Sequence, residues 1–514
     1  MSAFFSLLSH SPLSCTIITE DGSAKRRRIE EPVTFEPARF AVEGERTRKL
    51  LKKPEMRGGS RTYKECADLT QPFMRQTSVC ESAQIIESCV KSAGVDTTGV
   101  LALMFHDRTV ECLGKGSTGA IYRVEHSGRQ FAIKTMMFSK SRVELEREAQ
   151  EKSHTRRRAT DGKLAVAEQR IAAFITRRVI GTDNPVLAHC PNFVSLYAYE
   201  LTHNHPRFET CVFQFSRLWK NYACVAASEV FNAGNGEAVR LKHDPTATSP
   251  FETEEMAFSF IAQSLIAMTM LAAIGVSHND TAHRNFVAHS AAAREVFYEF
   301  PRDEHETSVL GIRTNGVLWA LTDFGLSTQS HFKTTGDTRF PDNYDSARDA
   351  EYLRDEYFPA KEFRKRSGLF LLDEKKDDCG ISHPLQCELS DFERDVAFFL
   401  SETIMQTREE PSRARICAYA RAALEKFDVP RTVQSASMHM EITRKVLSQD
   451  FTTQFFGARQ AARFYATKPE PYRHIYRLPT QLESQFLTED LARLLNSELC
   501  LHSIVCTAPS EKIN

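Results

Sequence analysis

The chain has 514 residues, enough to bury a large core and to form two or more domains. Lys and Arg total 66 against 67 for Asp and Glu, so the formal net charge of -1 provides no overall basic field for nucleic acid. The 13 cysteines include no C-x-x-C pair, which argues against a disulfide framework and favours a reducing, intracellular compartment.

Residues 1–60 are rich in Ser, Pro, Arg and Glu and show no sustained periodicity, so they are predicted to form a disordered N-terminal extension. The first residues lack the basic start of a secretory signal. Lys25 to Arg28 form a basic cluster that fits a nuclear-localisation signal or a solvated charge run equally well. Residues 61–106 are predicted to be a helical lead-in segment, with a helix from about Cys80 to Lys91.

Residues 113–134 read LGKGSTGAIYRVEHSGRQFAIK, which predicts a glycine-rich turn and then a β-hairpin with its own turn at residues 127–128. The spacing Gly114-x-Gly116-x-x-Gly119 also opens dinucleotide-binding folds, but those need a helix at the third glycine, whereas residues 120–124 read as a strand. The pattern therefore predicts a glycine flap, whose backbone N–H groups can approach phosphate oxygens.

Lys134 ends the second strand of this hairpin. From that position its ammonium could reach the α- and β-phosphates of a nucleotide lying under the flap. A lysine taken alone is more often a solvated surface residue, so its interpretation depends on motifs further along the chain.

Residues 141–180 are charged and read as helical, and residues 192–201 and 211–231 read as strands. Residues 257–276, AFSFIAQSLIAMTMLAAIGV, carry no charge over twenty positions, which is long enough to span a bilayer. Polar side chains within this run, and the polar loop directly after it, favour a buried helix instead. The rest of the chain is predicted to be mostly helical, except for an irregular region at about 285–389.

Residues 278–285, HNDTAHRN, follow the apolar run, and residues 322–325 read TDFG. An H-x-D sequence with Asn five residues after the Asp, then D-F-G, all behind a glycine flap and a lysine on a strand, is similar to the signature set of the protein kinases. The resemblance covers residues 107–514. It implies an α+β, two-lobed protein-kinase-like fold, with a small β-rich N-lobe at about 107–232 and a larger helical C-lobe at about 233–514.

The resemblance implies that Asp280 is the catalytic base, that Asn285 and Asp323 are magnesium ligands, and that Lys134 holds the phosphates of ATP. The cofactors expected are therefore ATP and Mg²⁺. This chemistry is reasonable, because magnesium prefers hard oxygen ligands and a hydroxyl nucleophile needs a positioned carboxylate. Residues 228–234, SEVFNAG, resemble the hinge between the lobes, whose backbone would hydrogen-bond adenine. The nucleotide-binding residues implied by the resemblance are Gly114, Lys115, Gly116, Ser117, Thr118, Gly119, Ile121, Ala132, Lys134, Glu168, Glu229 and Phe231.

Two further carboxylates are expected to support the site. Lys134 needs a partner from the long helix, and Glu168 is favoured over Glu148 because only Glu168 lies on an apolar stripe. That stripe consists of Leu164, Ile171, Ile175 and Val179. Asp395 resembles the aspartate that opens the central helix of the C-lobe and steadies the catalytic loop, with Asp349 as a rival.

The chain departs from the family pattern at several points. Asn279 stands where the family has the arginine of H-R-D, so activity is not expected to await phosphorylation of an activation loop. No A-P-E sequence follows Asp323, and about 37 residues separate Asn285 from Asp323 where the family has a shorter hairpin. Such departures resemble the kinases carried by large DNA viruses.

The predicted function is a protein kinase acting on serine or threonine, although Ala282 and Arg284 resemble the catalytic loop of tyrosine kinases. Two alternatives stay open: a pseudokinase that serves as a binding scaffold, and a kinase-like phosphotransferase for small molecules. The expected partner is a protein substrate. Neither nucleic acid nor a membrane is expected, since the basic clusters are short and lack interleaved aromatic residues. The expected location is the cytoplasm or nucleus, of a host cell if the origin is viral.

Overall fold

The computed structural model describes residues 16–18, 24–26, 71–93, 100, 103, 110–115, 119–138, 162–203, 222–231, 236, 249–290, 294–301, 307–329, 391–427, 435–467 and 474–496. Several residues that the sequence singled out lie outside these ranges. They are Arg27, Arg28, Gly116, Ser117, Thr118, Glu148, Asn232, Ala233, Gly234 and Asp349.

Helices and strands both occur along the described chain. The first part contains β1 Thr16–Ile18, β2 Ala24–Arg26, α1 Gln71–Ala93, β3 Glu111–Lys115, β4 Gly119–His126, β5 Arg129–Phe138, α2 Gly162–Phe174, β6 Leu196–His203 and β7 Tyr222–Ser228. The second part contains α3 Glu254–Ala273, β8 Val276–Ser277, β9 Phe286–Ser290, β10 Glu295–Pro301, β11 Thr307–Arg313, β12 Val317–Leu321, β13 Thr328–Gln329, α4 Asp391–Thr407, α5 Ala414–Phe427, α6 Ala436–Val446, α7 Gln449–Phe456, α8 Ala458–Phe464, β14 Ile475–Arg477 and α9 Gln481–Asn496. The mixed helix and strand content agrees with the class predicted from the sequence.

Five strands of the first part form one antiparallel sheet in the order β3-β4-β5-β7-β6. Strands β4 and β5 are joined by a two-residue turn in which Ser127 and Gly128 both have positive φ, 52° and 72°. This left-handed backbone matches the twist of a tight hairpin, and glycine adopts it without a steric penalty. The predicted hairpin and its turn are therefore confirmed.

Helices α1 and α2 pack on opposite faces of this sheet. Ile133 of β5 lies in an apolar cluster with Val79 and Ile86 of α1. The next residue of β5, Lys134, contacts Glu168 of α2 instead. Because successive strand residues point to opposite faces, the sheet lies between the two helices.

Helix α1 is longer than the sequence predicted, since it begins at Gln71 rather than near Cys80. Buried side chains occur at Gln76, Val79, Ser82, Ala83 and Ile86, a helical spacing that places them on one side, as expected of a helix that buries one side. Its first turn contains a proline, which is tolerated at the start of a helix because the missing N–H has no partner there.

Helix α3 is the central helix of the second part, and 16 of its residues are buried. Among the described residues it is the one helix long and apolar enough to cross a membrane, but 89% of its most apolar stretch is buried inside the protein. The side chains of Phe258 and Phe260 contact aromatic rings of α5, α8 and β12. The observed burial agrees with the buried helix predicted from the sequence.

The prediction of irregular structure from Asn285 onward is wrong for residues 286–290, 295–301, 307–313 and 317–321, which form strands. Strands β9 and β12 pair antiparallel, and a hairpin of β10 and β11 is inserted between them. Strand β10 also pairs in parallel with β14, with Phe297 opposite Ile475. Short strands gain much of their stability from partner strands, and a partner so distant along the chain leaves no local signal in the sequence.

Candidate active site

Lys134 lies at the centre of the site, on the face of β5 that α2 covers. Its Nζ is 2.7 Å from Glu168 Oε1 and 2.6 Å from Asp323 Oδ1. The side chains of Lys134 and Glu168 are 17% and 7% exposed, whereas the side chain of Asp323 is 45% exposed. One ammonium therefore holds two carboxylates, and the Asp323 carboxylate is the one that still faces solvent.

Helix α2 supplies the carboxylate that the helical phase indicated, since Glu168 is the residue of this helix in contact with Lys134. The rival residue, Glu148, lies outside the described residues. Helix α2 is held in turn by α9, because Arg170 Nη1 donates to the carbonyl of Leu494 at 3.1 Å. A helix from the far end of the chain thus helps to set the position of Glu168.

The three charges shift one another's pKa values. Burial would lower the pKa of Lys134, but the carboxylates of Asp323 and Glu168 outweigh it and raise the pKa well above its ordinary value. Burial would raise the pKa of Asp323, but contact with Lys134 holds that pKa below its ordinary value. For Glu168, the effect of burial outweighs that of the Lys134 charge, so the pKa of Glu168 is raised above its ordinary value. Lys134 is therefore charged at neutral pH, and Asp323 is the more acidic of its two partners.

Asp323 begins a sharp turn, in which it has a left-handed backbone with φ of 66°. The residue after it, Phe324, is 4% exposed, and its ring centroid is 5.3 Å from that of His278 and 6.4 Å from that of Phe193. A left-handed conformation is unfavourable for most residues other than glycine, so it persists only where surrounding contacts enforce it. The buried Phe324 side chain provides such a contact and directs the Asp323 carboxylate toward Lys134.

Gly325 completes this turn at a position where the two carboxylates approach the backbone. A Cβ atom added to Gly325 would lie 3.1 Å from Glu168 Oε2 and 3.3 Å from Asp323 Oδ1. Both distances are shorter than ordinary van der Waals contact. The glycine therefore provides space for the carboxylates that flank Lys134.

His278 connects the loop at residues 278–285 to the turn that begins at Asp323. His278 Nε2 donates to the carbonyl of Thr322 at 2.9 Å, and Nδ1 accepts from the N–H of Asp280 at 3.3 Å. A carbonyl can only accept, so these partners assign the neutral ring its proton on Nε2. The imidazole thus links the loop that carries Asp280 to the residue just before Asp323.

Helix α4 holds the same loop with a buried carboxylate. Asp395 accepts hydrogen bonds from the N–H groups of His278 at 2.6 Å and Asn279 at 2.8 Å. Asn279 has φ of 62°, and these bonds hold that left-handed backbone in place. Of the two aspartates considered from the sequence, Asp395 contacts the loop, and Asp349 lies outside the described residues. Helix α4 begins one turn earlier than expected, at Asp391.

Asp280 lies beside an arginine from its own loop. Arg284 Nη2 is 2.9 Å from both Oδ1 and Oδ2 of Asp280. Asn285 Nδ2 donates to the Asp280 carbonyl at 2.7 Å, which fixes the loop from the other side. The Asp280 side chain is 14% exposed and that of Arg284 is 44% exposed, so this pair borders the solvent.

The predicted magnesium ligands are compatible with a hard cation. Asn285 Nδ2 is engaged by Asp280, which leaves its amide oxygen as the ligand atom, and Asp323 presents a partly exposed carboxylate. The N–H of Thr322 donates to the Asn285 carbonyl at 2.9 Å, so the two ligands lie at the ends of neighbouring strands. Among the described residues no group of three or more His, Cys, Asp or Glu could hold a metal alone. Two protein oxygens are nevertheless compatible with magnesium, which retains waters and phosphate oxygens.

No protein-family model and no curated protein sequence matches the chain. Among solved structures, a crystal structure of the BubR1 kinase domain is similar at 15% identity and a TM-score of 0.33, over 70% of this chain and 87% of that one. The contacts of this chain's own residues must therefore carry any functional proposal.

The structure shows where several of the residues predicted to bind nucleotide lie in the flap and the sheet. Ile121 and Ala132 lie on the same face of the sheet as Lys134, because Ile121 is paired with Lys134 and Ala132 is two residues before it. Gly114 is exposed. Gly119 has a structural reason of its own, since a Cβ there would lie 1.9 Å from the Thr135 carbonyl oxygen.

The hinge residues occupy the segment after β7. Phe231 lies near β9, with its ring 5.4 Å from that of His289. The side chain of Glu229 is turned toward α1, where its Oε2 is 3.0 Å from Arg75 Nη2. The Glu229 side chain is therefore engaged by α1, which leaves its backbone for the contact predicted at the hinge. Arg75 was not predicted from the sequence, because no motif or periodicity distinguishes this arginine from others nearby.

Proposed function

We propose that this chain is an ATP- and magnesium-dependent protein kinase with a two-lobed kinase-like fold, in which Asp280 is the catalytic base. One observation carries the proposal, namely the placement of the Lys134 ammonium between the carboxylates of Glu168 and Asp323. These carboxylates lie 34 and 189 residues from Lys134 along the chain. In the proposed fold the five-stranded sheet with α1 and α2 forms the small lobe, and α3 to α9 form the large lobe.

The charges at this point favour a ligand that contains both a cation and an anion. One ammonium faces two carboxylates, so the cluster formed by Lys134, Glu168 and Asp323 has an excess of negative charge. A magnesium ion at Asp323 would offset that excess. Lys134 could then contact phosphate oxygens while Glu168 keeps it in place.

Five side chains have roles in the proposed reaction. When bound, magnesium-ATP would supply the transferable phosphoryl group and the cation that offsets its charge. Asp280 would accept the proton of the acceptor hydroxyl. The hydroxyl oxygen would bond to the γ-phosphorus while the bond between that phosphorus and the oxygen bridging it to the β-phosphate breaks. Arg284 holds the Asp280 carboxylate in position through both oxygens. Asn285 and Asp323 would bind magnesium, and Lys134 would hold the phosphates.

The proposed acceptor is a hydroxyl of serine or threonine in another protein, inside a cell, and we propose no nucleic acid or membrane partner. Ala282 and Arg284 leave tyrosine as the rival acceptor. Phosphoamino-acid analysis of the autophosphorylated protein separates the two, and a dominant phosphotyrosine signal would reverse this choice. A relation to the kinases of large DNA viruses stays a prediction from the sequence.

The test is transfer of labelled γ-phosphate to generic protein substrates, with magnesium present and after its removal by a chelator. We expect wild-type protein to transfer phosphate only with magnesium. Asp280→Asn keeps size but removes the charge of the base, so transfer should fall by about 10² to 10⁴-fold while the affinity for magnesium-ATP stays the same.

Glu441→Gln is the matched control, because Arg444 of the same helix likewise donates to both of its carboxylate oxygens, and the ion pairs of Glu441 among the described residues are all with residues of that helix. It should transfer phosphate within about twofold of wild type. Equal transfer by wild type and Asp280→Asn, or none above background from either, would overturn the kinase proposal and favour the scaffold alternative.

A further inference from the structure

Helix α1 carries a buried arginine that belongs to none of the kinase motifs. The side chain of Arg75 is 11% exposed. Its Nη1 donates to the Pro191 carbonyl at 2.7 Å, and its Nη2 donates to the Phe193 carbonyl at 3.1 Å and to the Ser195 hydroxyl at 3.4 Å. The same Nη2 is 3.0 Å from Glu229 Oε2. A single guanidinium thus joins α1 to the chain that enters β6 and to the residue that follows β7.

Glu229 is fixed at a second point by Ser195. The N–H of Ser195 donates to Glu229 Oε2 at 3.3 Å, and the N–H of Glu229 donates to the Ser195 carbonyl at 2.9 Å. Both the side chain and the peptide nitrogen of Glu229 are therefore committed to contacts with the protein. Contacts among the described residues engage neither its carbonyl nor the peptide groups of residues 230–231, and these groups could bind a ligand.

We propose that Arg75 is a positioning residue for nucleotide binding, which sets the backbone of residues 229–231 where adenine can hydrogen-bond to it. This rests on the proposed function, since it takes that segment to be the adenine-binding one. Arginine is suited to the task because its planar guanidinium donates in several fixed directions at once. A lysine would keep the charge opposite Glu229 but could not satisfy all four acceptors.

A purely structural role is the competing explanation, in which Arg75 only attaches α1 to the sheet. The chain offers a matched comparison in Arg129, at the start of β5. Its Nη1 donates to the carbonyl and hydroxyl of Ser78 at 3.2 and 3.0 Å and to the hydroxyl of Ser82 at 3.2 Å, and the guanidinium also pairs with Glu81. All three partners belong to α1, so Arg129 attaches the same helix to the sheet without contacting residues 229–231.

The test uses the full-length chain and the variants Arg75→Lys, Glu229→Gln and, as control, Arg129→Lys. Equilibrium binding of a fluorescent ATP analogue with magnesium is measured, together with KM for ATP and kcat. We expect Arg75→Lys and Glu229→Gln each to weaken nucleotide binding and to raise KM by about five- to tenfold, with kcat within about twofold. Arg129→Lys should change neither by more than about twofold. The effect of the double variant should be smaller than the sum of the two single effects, since Arg75 and Glu229 contact each other and share Ser195.

The outcomes separate this proposal from the proposed function. A loss of folded protein would lower kcat and leave KM unchanged. The positioning role would be overturned if Arg75→Lys lowered kcat without changing KM. It would also be overturned if Arg75→Lys and Arg129→Lys had equal effects. Wild-type protein that binds the analogue but transfers no phosphate would overturn the kinase proposal alone, and the binding comparison would still decide the role of Arg75. Wild-type protein that binds no adenine nucleotide would overturn both.

Discussion

Two clusters of charge, one around Lys134 and one around Arg75, differ in how completely their charges are satisfied. The Lys134 ammonium faces two carboxylates, and the side chain of one of them, Asp323, is 45% exposed. The Arg75 guanidinium faces one carboxylate, that of Glu229, and its remaining donors meet three oxygens of the β6 entry. The first cluster has an excess of negative charge open to solvent, whereas the second is balanced and closed.

The difference indicates which cluster is suited to a ligand. A closed cluster with matched charges gains little from an added ion, but it loses much if one partner is removed. An open cluster with an unmatched carboxylate can accept a cation and, through the lysine, an anion. We therefore propose ligand chemistry at Lys134 and a positioning role for Arg75, and three substitutions, one of them also studied at low pH, test this division.

The largest effect on folding is expected from Arg75→Gln. It leaves the Glu229 carboxylate buried without a cation, and breaking a buried pair in this way costs on the order of 3 to 5 kcal/mol. Chemical unfolding at neutral pH measures the loss. A change below about 1 kcal/mol, the range of exposed ion pairs, would show that the cluster is not closed.

Asp323→Asn should lower activity strongly and stability only slightly. Magnesium-dependent transfer should fall by about 10² to 10³-fold, because the amide binds magnesium more weakly than a carboxylate. Stability should change by only about 1 kcal/mol or less, since the carboxylate is half-exposed and Glu168 still pairs with Lys134. Binding of the fluorescent nucleotide at increasing magnesium concentration is the direct measurement. Unaltered magnesium dependence would contradict the assignment of Asp323 as a ligand.

Gly325→Ala should have a smaller effect on the same cluster. The added methyl would press on Glu168 and Asp323, at 3.1 and 3.3 Å, and displace at least one carboxylate from Lys134. We expect transfer to fall about tenfold, equivalent to about 1.4 kcal/mol. Steady-state kinetics at saturating ATP tests this expectation. Full activity would mean that the turn can shift without moving either carboxylate.

The smallest expected effect is the loss, at acidic pH, of the stabilisation that the Arg75–Glu229 pair provides. Burial would raise the pKa of Glu229, but Arg75 holds it below its ordinary value of 4.5. The stabilisation is therefore complete at pH above 4.5, where the unfolded side chain is ionised, and is lost as the pH falls through the lowered pKa of the folded protein. The difference in unfolding free energy between wild type and Arg75→Gln should shrink as the pH falls from about 7 to about 3. A difference independent of pH would show that charge does not hold the pair together.

Much of the candidate active site, including the open cluster around Lys134, could be predicted from the sequence. Lys134, Asp280, Asn285 and Asp323 each belong to a short motif whose residues are adjacent in the chain. Glu168 could be predicted because a helix that buries one side shows that side in its spacing of apolar residues. These signals are local, so a single sequence contains them.

The closed cluster could not be predicted in the same way. Arg75 and Glu229 are 154 residues apart, and each belongs to a segment where a charged residue is ordinarily exposed. The strands at residues 286–321 were missed for a related reason, since β10 is paired on one side by β14 near the end of the chain. A contact between distant segments depends on how the whole chain packs, and short windows do not record it.

The sequence by itself thus determined the hairpin at residues 119–138, the buried helix α3 and the identities of the residues around Lys134. Each follows from turn chemistry, periodicity or motif spacing, which act over a few residues. Only the tertiary structure decided that α1 covers one face of the sheet, that α9 holds α2, and that Arg75 fixes Glu229. The physical reason is that buried charges become favourable only when folding brings their partners within hydrogen-bond distance.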